Sequence, residues 1–288
     1  MSSPLPAGSI DLHAHSSVSD GTETPAELVR AASVAGLGTI ALTDHDSTAG
    51  WAEAALEARA QGLALIPGME LSTRVERASV HLLGYLMDPE HPGLVAETAR
   101  IRAGRRDRAE SIVRRLAVDY DLSWDDVLEQ TVPGGTVGRP HIADALVARG
   151  FVATRSIAFE TILHWRGGYF QPHYAPDPLT GVRLVRAAGG VPVLAHPGTG
   201  GRGRVIGEAH LAELVDAGLF GLEIDHRENT RDGKERLHEL ARRFGLAVTG
   251  SSDYHGAGKP NRLGENTTSA EVTERILDLA TGSAPILP

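Results

Sequence analysis

Over residues 10–86, short apolar runs alternate with amphipathic helical stretches, and the runs end in or beside His, Asp or Glu. Residues 10–15 read as a strand. Thr24-Pro25 opens a helix with Leu28, Ala32 and Ala35 on one face, and Gly36 ends it. Residues 39–43 form a second strand, and Ser47 is placed to cap a helix reaching about residue 60. Residues 63–71 and 80–86 give a third and a fourth strand. Strands alternating with helices build parallel βα units, and so predict a doubly wound sheet or a barrel.

The rhythm stops near Asp88-Pro89. Residues 91–170 carry a helical pattern without clear strands, broken by Pro133-Gly134-Gly135. It resumes with a helix at 179–188, strands at 191–195, 220–225 and 246–250, and a last helix over 271–280. About seven strands predict an α/β fold, a parallel (β/α) barrel formed by residues 1–88 and 178–288. Residues 89–177 are then a helical insertion. No internal repeat or low-complexity tract interrupts this plan.

The histidines bear on function. His13 and His15, two apart at a strand end, leave the same face, and Asp253 and His255 repeat that spacing after the last strand. His45 follows the second strand, Glu70 closes the third, His81 lies in the fourth and His196 follows the fifth. In a parallel barrel the C-terminal strand ends meet at one rim, the usual seat of the active site. One such His is ordinary. Independent chain segments delivering this many imidazoles and carboxylates to one small volume would be costly without divalent cations to hold them. The chain has no Cys, which excludes disulfides, thiolate zinc sites and thiol nucleophiles, so any metal must be held by nitrogen and oxygen.

Charge narrows the partners. A net charge of -9 argues against coating long nucleic acid, although a few local cations can still receive a small anionic substrate. Residues 1–6 lack the pattern of a signal peptide and no run reaches transmembrane length. A cytoplasmic protein with no membrane contact and no obligate protein partner is the expectation.

Six segments resemble the successive motifs of the PHP (polymerase and histidinol phosphatase) superfamily. They are Asp11-Leu12-His13-Ala14-His15-Ser16, Thr43-Asp44-His45-Asp46, Gly68-Met69-Glu70-Leu71-Ser72, Val80-His81-Leu82-Leu83-Gly84-Tyr85, Leu194-Ala195-His196-Pro197-Gly198 and Gly250-Ser251-Ser252-Asp253-Tyr254-His255. The resemblance implies a distorted seven-stranded barrel with a trinuclear metal site. Carried over, it implies that His13, His15, Glu70 and Asp253 hold one metal. Asp20, His45 and His255 would hold a second, and Glu70, bridging, would hold a third with His81 and His196. Two to three divalent ions, Mn2+, Zn2+ or Fe2+, suit such a set. Asp20 stands where some relatives have a third His, which bears on metal preference.

Asp20, the helical insertion and Gly138-Arg139-Pro140-His141 within it resemble the nucleotide phosphatase branch. That branch implies substrate phosphate held by Arg139 and His141. His226, after the strand at 220–225, is a candidate proton donor at the rim, and Arg202 and Arg204 in a Gly-rich loop are candidate phosphate contacts. Asp44 is placed to orient a ligand. Residues 100–115 carry seven Arg against two acids and read as a solvated helix face. His91, His164, His173, His210 and His238 read as surface or packing residues.

The expected activity is hydrolysis of phosphate monoesters of small nucleotides, such as nucleoside 3',5'-bisphosphates or 5'-mononucleotides. The nucleophile would be a metal-bridging water whose pKa falls from 15.7 toward ~7. Competing readings are a 5'-to-3' exoribonuclease on short oligonucleotides, a histidinol-phosphate phosphatase, a metal amidohydrolase and a non-catalytic metal-binding module. Direct phosphate-release assays separate them. A polymerase-type exonuclease is disfavoured because 288 residues leave no room for a polymerase region.

Overall fold

A computed structural model describes residues 5–76, 78–198 and 206–288. The chain begins with strand β1 (Ser9–Asp11) and helix α1 (Pro25–Val34). Thr24 caps α1 in a reciprocal pair with Glu27, and Pro25 occupies the first turn, where no N–H is needed. Strand β2 (Leu37–Leu42) leads to α2 (Trp51–Gln61), then β3 (Ala64–Val75) and β4 (Ala78–Tyr85). Helix α2 starts at Gly50 without a side-chain cap. Ser47 instead accepts from the Ala49 N–H at 3.2 Å, so it shapes the loop and does not cap the helix as expected.

Four helices follow: α3 (Pro92–Leu116), α4 (Trp124–Leu128), α5 (Arg139–Ala148) and α6 (Arg155–Glu160). Helix α7 (Pro178–Ala187) returns the chain to β5 (Val191–Leu194), α8 (Glu208–Asp216) and β6 (Gly221–Asp225). It closes with α9 (Arg231–Phe244), β7 (Ala247–Gly250) and α10 (Ala270–Leu279).

The strands form one seven-stranded sheet in sequence order. Pairing is parallel from β1 to β3 and from β5 to β7, but β4 runs antiparallel to both neighbours. An all-parallel sheet was the expectation, and β4 corrects it. Only residues 76 and 77 separate β3 from β4; a parallel crossover needs a dozen or more. One parallel bridge, Ala14 to Tyr254, ties the segment after β1 to the segment after β7, with the His15 N–H donating to the Tyr254 carbonyl at 2.8 Å.

Apolar layers flank this sheet. Ile10, Leu12, Ile66, Leu83, Tyr85 and Val193 belong to one buried cluster. Leu71, Leu82, Val182, Leu214 and Leu240 pack α7, α8 and α9 against the strands, while α1 and α2 cover β2 and β3 through Leu28, Ala32, Ala54, Ala58 and Leu65. The helices after β4 carry a cluster of their own, drawn from residues 109–163, with Ile112, Leu116, Ile142 and Leu146 at its centre. No helix among the described residues is long and apolar enough to cross a membrane.

Candidate metal centre

The β3–β4 hairpin builds one wall of the site. Glu70, Ser72 and Arg74 share a face of β3, and their partners across the ladder are Leu83, His81 and Ser79. That face grades from apolar at Leu83, through Glu70 and His81, to cationic at Arg74. Glu70 sits inside β3, which continues to Val75, and not at its end as the sequence pattern implies.

Glu70 is 1% exposed and lies at the meeting point of five imidazoles. Its Oε2 is 3.1 Å from His15 Nε2, 3.3 Å from His13 Nε2 and 3.3 Å from His45 Nδ1. Its Oε1 lies 2.7 Å from His81 Nδ1 and 3.1 Å from His196 Nε2. Asp253 Oδ1 stands 3.4 Å from the same nitrogens of His13 and His15, which face each other at 3.0 Å. Two imidazole nitrogens turned on each other between two carboxylates form a donor set for a cation.

Four groups have ligand atoms within 4.8 Å of one another. His13, His15, Glu70 and Asp253 make the first, and His15, Asp20 and His255 the second. His45, Glu70 and His81 make the third, and His13, His196 and Glu223 the fourth. All nine residues singled out from the sequence therefore converge. His45 stands between two groups, its Nε2 3.8 Å from Asp20 as well as its Nδ1 beside Glu70.

The charges agree with this geometry. Burial pushes the Glu70 carboxyl up, yet His81, His45 and His13 outweigh it and hold it well below its usual range. Burial likewise opposes ionisation of Asp253 and Asp20, and is overcome by Lys259 and His255 at Asp253 and by His255 and His45 at Asp20. Burial lowers His15, but hydrogen bonds to Asp253 and Glu70 prevail and raise it to about 9. His13, His15 and His196 are raised beside these carboxylates while burial lowers His45 and His255, so the protons that a divalent cation would displace lie on the first three.

Backbone strain gathers here too. Asp46, His196 and Asp253 have φ of 52°, 31° and 53°, a region that costs a residue with a Cβ about 1–3 kcal/mol. Gly21 is required for a different reason. A Cβ there would lie 2.3 Å from the His15 carbonyl oxygen, so only glycine lets the loop bearing Asp20 fold back onto His15.

Supporting residues fix the ligands. Asp44 accepts from the Ser16 N–H at 2.8 Å and from the Ser19 hydroxyl at 2.6 Å, and Ser19 Oγ lies 3.3 Å from His15 Nδ1. Glu223, fully buried, sits 2.9 Å from His13 Nδ1, accepts from the His196 N–H at 2.9 Å and from the Ser251 hydroxyl, and is driven down to about 2 by His13 against burial. The sequence reading passed over Glu223. The signal was present, because Leu222 and Ile224 alternate with Gly221, Glu223 and Asp225, which turns Glu223 away from the apolar face. His226 is fully buried, with Nε2 3.5 Å from Asp253 Oδ2 and no hydrogen-bond partner.

The expected substrate residues diverge. His141 is 4% exposed and its Nδ1 accepts from the Gly138 N–H at 3.1 Å. It lines a cavity of about 480 Å³ together with Ser17, Thr22, Gln130 and Arg155. Arg139 donates to the Leu163 carbonyl at 3.5 Å and lies over the rings of Phe159 and Phe170. Arg202 and Arg204 lie outside the described residues.

Arg100, Arg106, Arg114 and Arg115 are exposed, as a solvated face requires, but Arg102, Arg105 and Arg108 correct that reading. Arg105 is 7% exposed, paired with Asp46 at 2.8 Å and donating to Ser72 Oγ at 2.6 Å. Arg102 donates to the Asp46 carbonyl at 2.6 Å, and Arg108 reaches His173 Nδ1 at 3.0 Å. Their spacing of three residues along α3 puts all three on one face of the helix, toward Asp46, Ser72 and His173. His173, read as a packing residue, belongs to this group.

The chain is similar in sequence and fold to known proteins. A PHP domain model matches residues 11–117. A 3',5'-nucleoside bisphosphate phosphatase from Chromobacterium violaceum is 34% identical over 88% of this chain and 89% of its own length. This chain belongs to the PHP family. A 5'-3' exoribonuclease from Haemophilus influenzae is 33% identical to this PHP protein over 89% of the chain and 93% of its own. The solved structure of a candidate metal-dependent phosphoesterase from Bifidobacterium adolescentis superposes with a TM-score of 0.92 and 43% identity, covering 96% of this chain and 98% of that one. The PHP protein described here is accordingly a metal-dependent phosphoesterase, a hydrolase of phosphoric esters.

Proposed function

We propose that this PHP phosphoesterase hydrolyses phosphate monoesters of small nucleotides, nucleoside 3',5'-bisphosphates or 5'-mononucleotides, with two to three divalent cations. The convergence of four ligand groups that share His13, His15 and Glu70 carries the reading. The donor set fits such ions: it is all nitrogen and oxygen, it is buried apart from the half-buried His81 and His196, and His45 Nδ1 has no hydrogen-bond partner in the protein. His13, His15, Glu70 and Asp253 would hold one cation, Asp20, His255 and His45 a second, and Glu70, His81 and His196 a third. Mn2+, Zn2+ and Fe2+ all accept these ligands. Bound there, divalent cations would neutralise phosphoryl oxygens and acidify water at neutral pH.

The chain's own residues do the rest. His226, held against Asp253, carries a proton toward the leaving oxygen. Glu223 fixes the ring of His13, as carboxylates behind metal-bound imidazoles do. We infer further that the sheet closes into a distorted barrel, which the Ala14–Tyr254 bridge supports, and that residues 89–177 are an insertion whose substrate contacts are Arg139 and His141, the latter from the cavity it lines.

Glu223→Gln should lower manganese affinity and kcat/KM roughly ten- to a hundred-fold, the usual scale for a partner behind a ligand. Values within two-fold of wild type would remove Glu223 from that role. The substrate class is tested by phosphate release with manganese over nucleoside 3',5'-bisphosphates, 5'-mononucleotides, sugar phosphates and short 5'-phosphorylated RNA. Nucleotides are expected to exceed sugar phosphates in kcat/KM, and a preference for sugar phosphates would overturn the assignment. Similarity to the exoribonuclease supports a second reading, which predicts successive release of nucleotides from the RNA.

A further inference from the structure

Beyond the metal ligands, the same face of the β3–β4 hairpin ends in positive charge. Arg74 lies four residues past Glu70, about 13 Å along the strand, and Ser72 between them stands opposite His81. Arg74 donates to the His173 carbonyl at 2.5 Å, and Arg108 of α3 donates to His173 Nδ1 at 3.0 Å. Arg74 thus holds the backbone and Arg108 the ring of His173, and the charges of Arg108, Arg105 and Arg74 all act on that imidazole.

Only Arg105 is compensated there, by Asp46. Among the described residues neither Arg74 nor Arg108 has a carboxylate within ion-pair distance, in a protein whose net charge is -9. Burial and the charges of Arg108, Arg105 and Arg74 push His173 down to about 2, so the ring is neutral. Because its Nδ1 accepts from Arg108, its Nε2 bears the hydrogen, and that atom has no acceptor. Arg108 Nε has none either. A buried donor left unpaired is costly, and a guanidinium stays charged at neutral pH. Arg74 donates to the backbone carbonyls of His173 and Glu76, so among the described residues the cluster presents two unpaired donors and positive charge with no carboxylate beside Arg74 or Arg108.

We propose that Arg74, Arg108 and His173 bind the second phosphate of the substrate, the one that is not cleaved, while the metal centre takes the first. This rests on the nucleotide phosphatase reading and assigns its specificity to the hairpin and α3. A nucleoside carrying two phosphates places one anion at Glu70 and the other beyond Ser72 toward Arg74. Planar guanidinium groups suit a phosphate's paired oxygens.

The test compares adenosine 3',5'-bisphosphate with p-nitrophenyl phosphate, which carries only the cleaved group, in metal-loaded wild type, Arg108→Gln and Arg74→Gln. Each variant should lose about ten- to a hundred-fold in kcat/KM on the bisphosphate, the scale of a hydrogen bond between charged groups, and much less on p-nitrophenyl phosphate. Equal losses on both, or none on either, overturn the second-phosphate site and leave the phosphatase reading standing. Arg74→Gln, at the end of a strand, decides the matter should Arg108→Gln not fold. If the wild type turns over neither compound, the reading of the reaction fails, and the bisphosphate can be titrated directly. Tighter binding of the bisphosphate than of p-nitrophenyl phosphate, lost in the variants, would then uphold the site. Equal binding would overturn it.

Discussion

Replacing Glu70 by glutamine is expected to strip the protein of most of its metal and to cut turnover at least about a thousand-fold, the rate equivalent of several kcal/mol of lost charge stabilisation. The carboxylate lies within 3.3 Å of nitrogens from His13, His15, His45, His81 and His196. Glutamine nearly keeps the volume, removes the negative charge and turns a donor toward one set of imidazoles. Without metal a second effect appears. His15 is lowered by burial and raised to about 9 by Asp253 and Glu70, from an ordinary 6.5. The stabilisation tied to that proton is complete below about 6.5 and disappears as the pH rises through 9. Metal-free Glu70→Gln should therefore melt with a shallower pH dependence over that window. Elemental analysis, circular dichroism and steady-state kinetics check the set. A folded variant with wild-type metal content and kcat would refute the assignment of Glu70.

The part of this site that was legible in the sequence is the part fixed by local periodicity. His13 and His15, or Asp253 and His255, share a direction because strand-like backbone repeats every two residues, and these segments, with those of His45 and His196 after strands, point to one rim without any knowledge of long-range contacts, whereas Glu70 and His81 lie within β3 and β4. Glu223 obeyed the same rule but lay inside an apolar strand, where the eye follows Leu222 and Ile224. Arg105, Arg108 and His173 were illegible for another reason. Whether a helical arginine meets water or a buried carboxylate depends on where the helix docks, and nothing local in residues 100–115 encodes Asp46, which is about 60 residues away. The antiparallel β4 was readable in principle from the short link after Val75. The alternation of strands and helices before it masked that cue.

Among the arginines of α3, Arg105→Met is expected to be the most destabilising substitution, at roughly 3–5 kcal/mol, the cost of leaving one partner of a buried ion pair unpaired. The Arg105 and Asp46 side chains are 8% and 0% exposed, with Nε and Oδ2 2.8 Å apart. Asp46 also accepts from the Ser72 N–H and hydroxyl, both at 2.7 Å, and Arg105 donates to that hydroxyl at 2.6 Å. Methionine retains much of the arginine stem but leaves the carboxylate with hydrogen bonds from one serine and no cation. The pair joins α3 to the loop after His45 and to β3, so its loss should loosen the hairpin wall of the metal centre as well as the helix. At roughly 2–4 °C per kcal/mol, the melting temperature should fall by about 6–20 °C. Arg106, one residue further along α3, is the control. Its pair with Glu110 is exposed, with side chains 53% and 34% accessible, and Arg106→Met should cost less than about 1 kcal/mol. Similar melting shifts in the two variants would mean that the charge density of α3, not the Asp46 contact, sets stability. A negligible shift in Arg105→Met would show that the contact does not hold the helix to the hairpin.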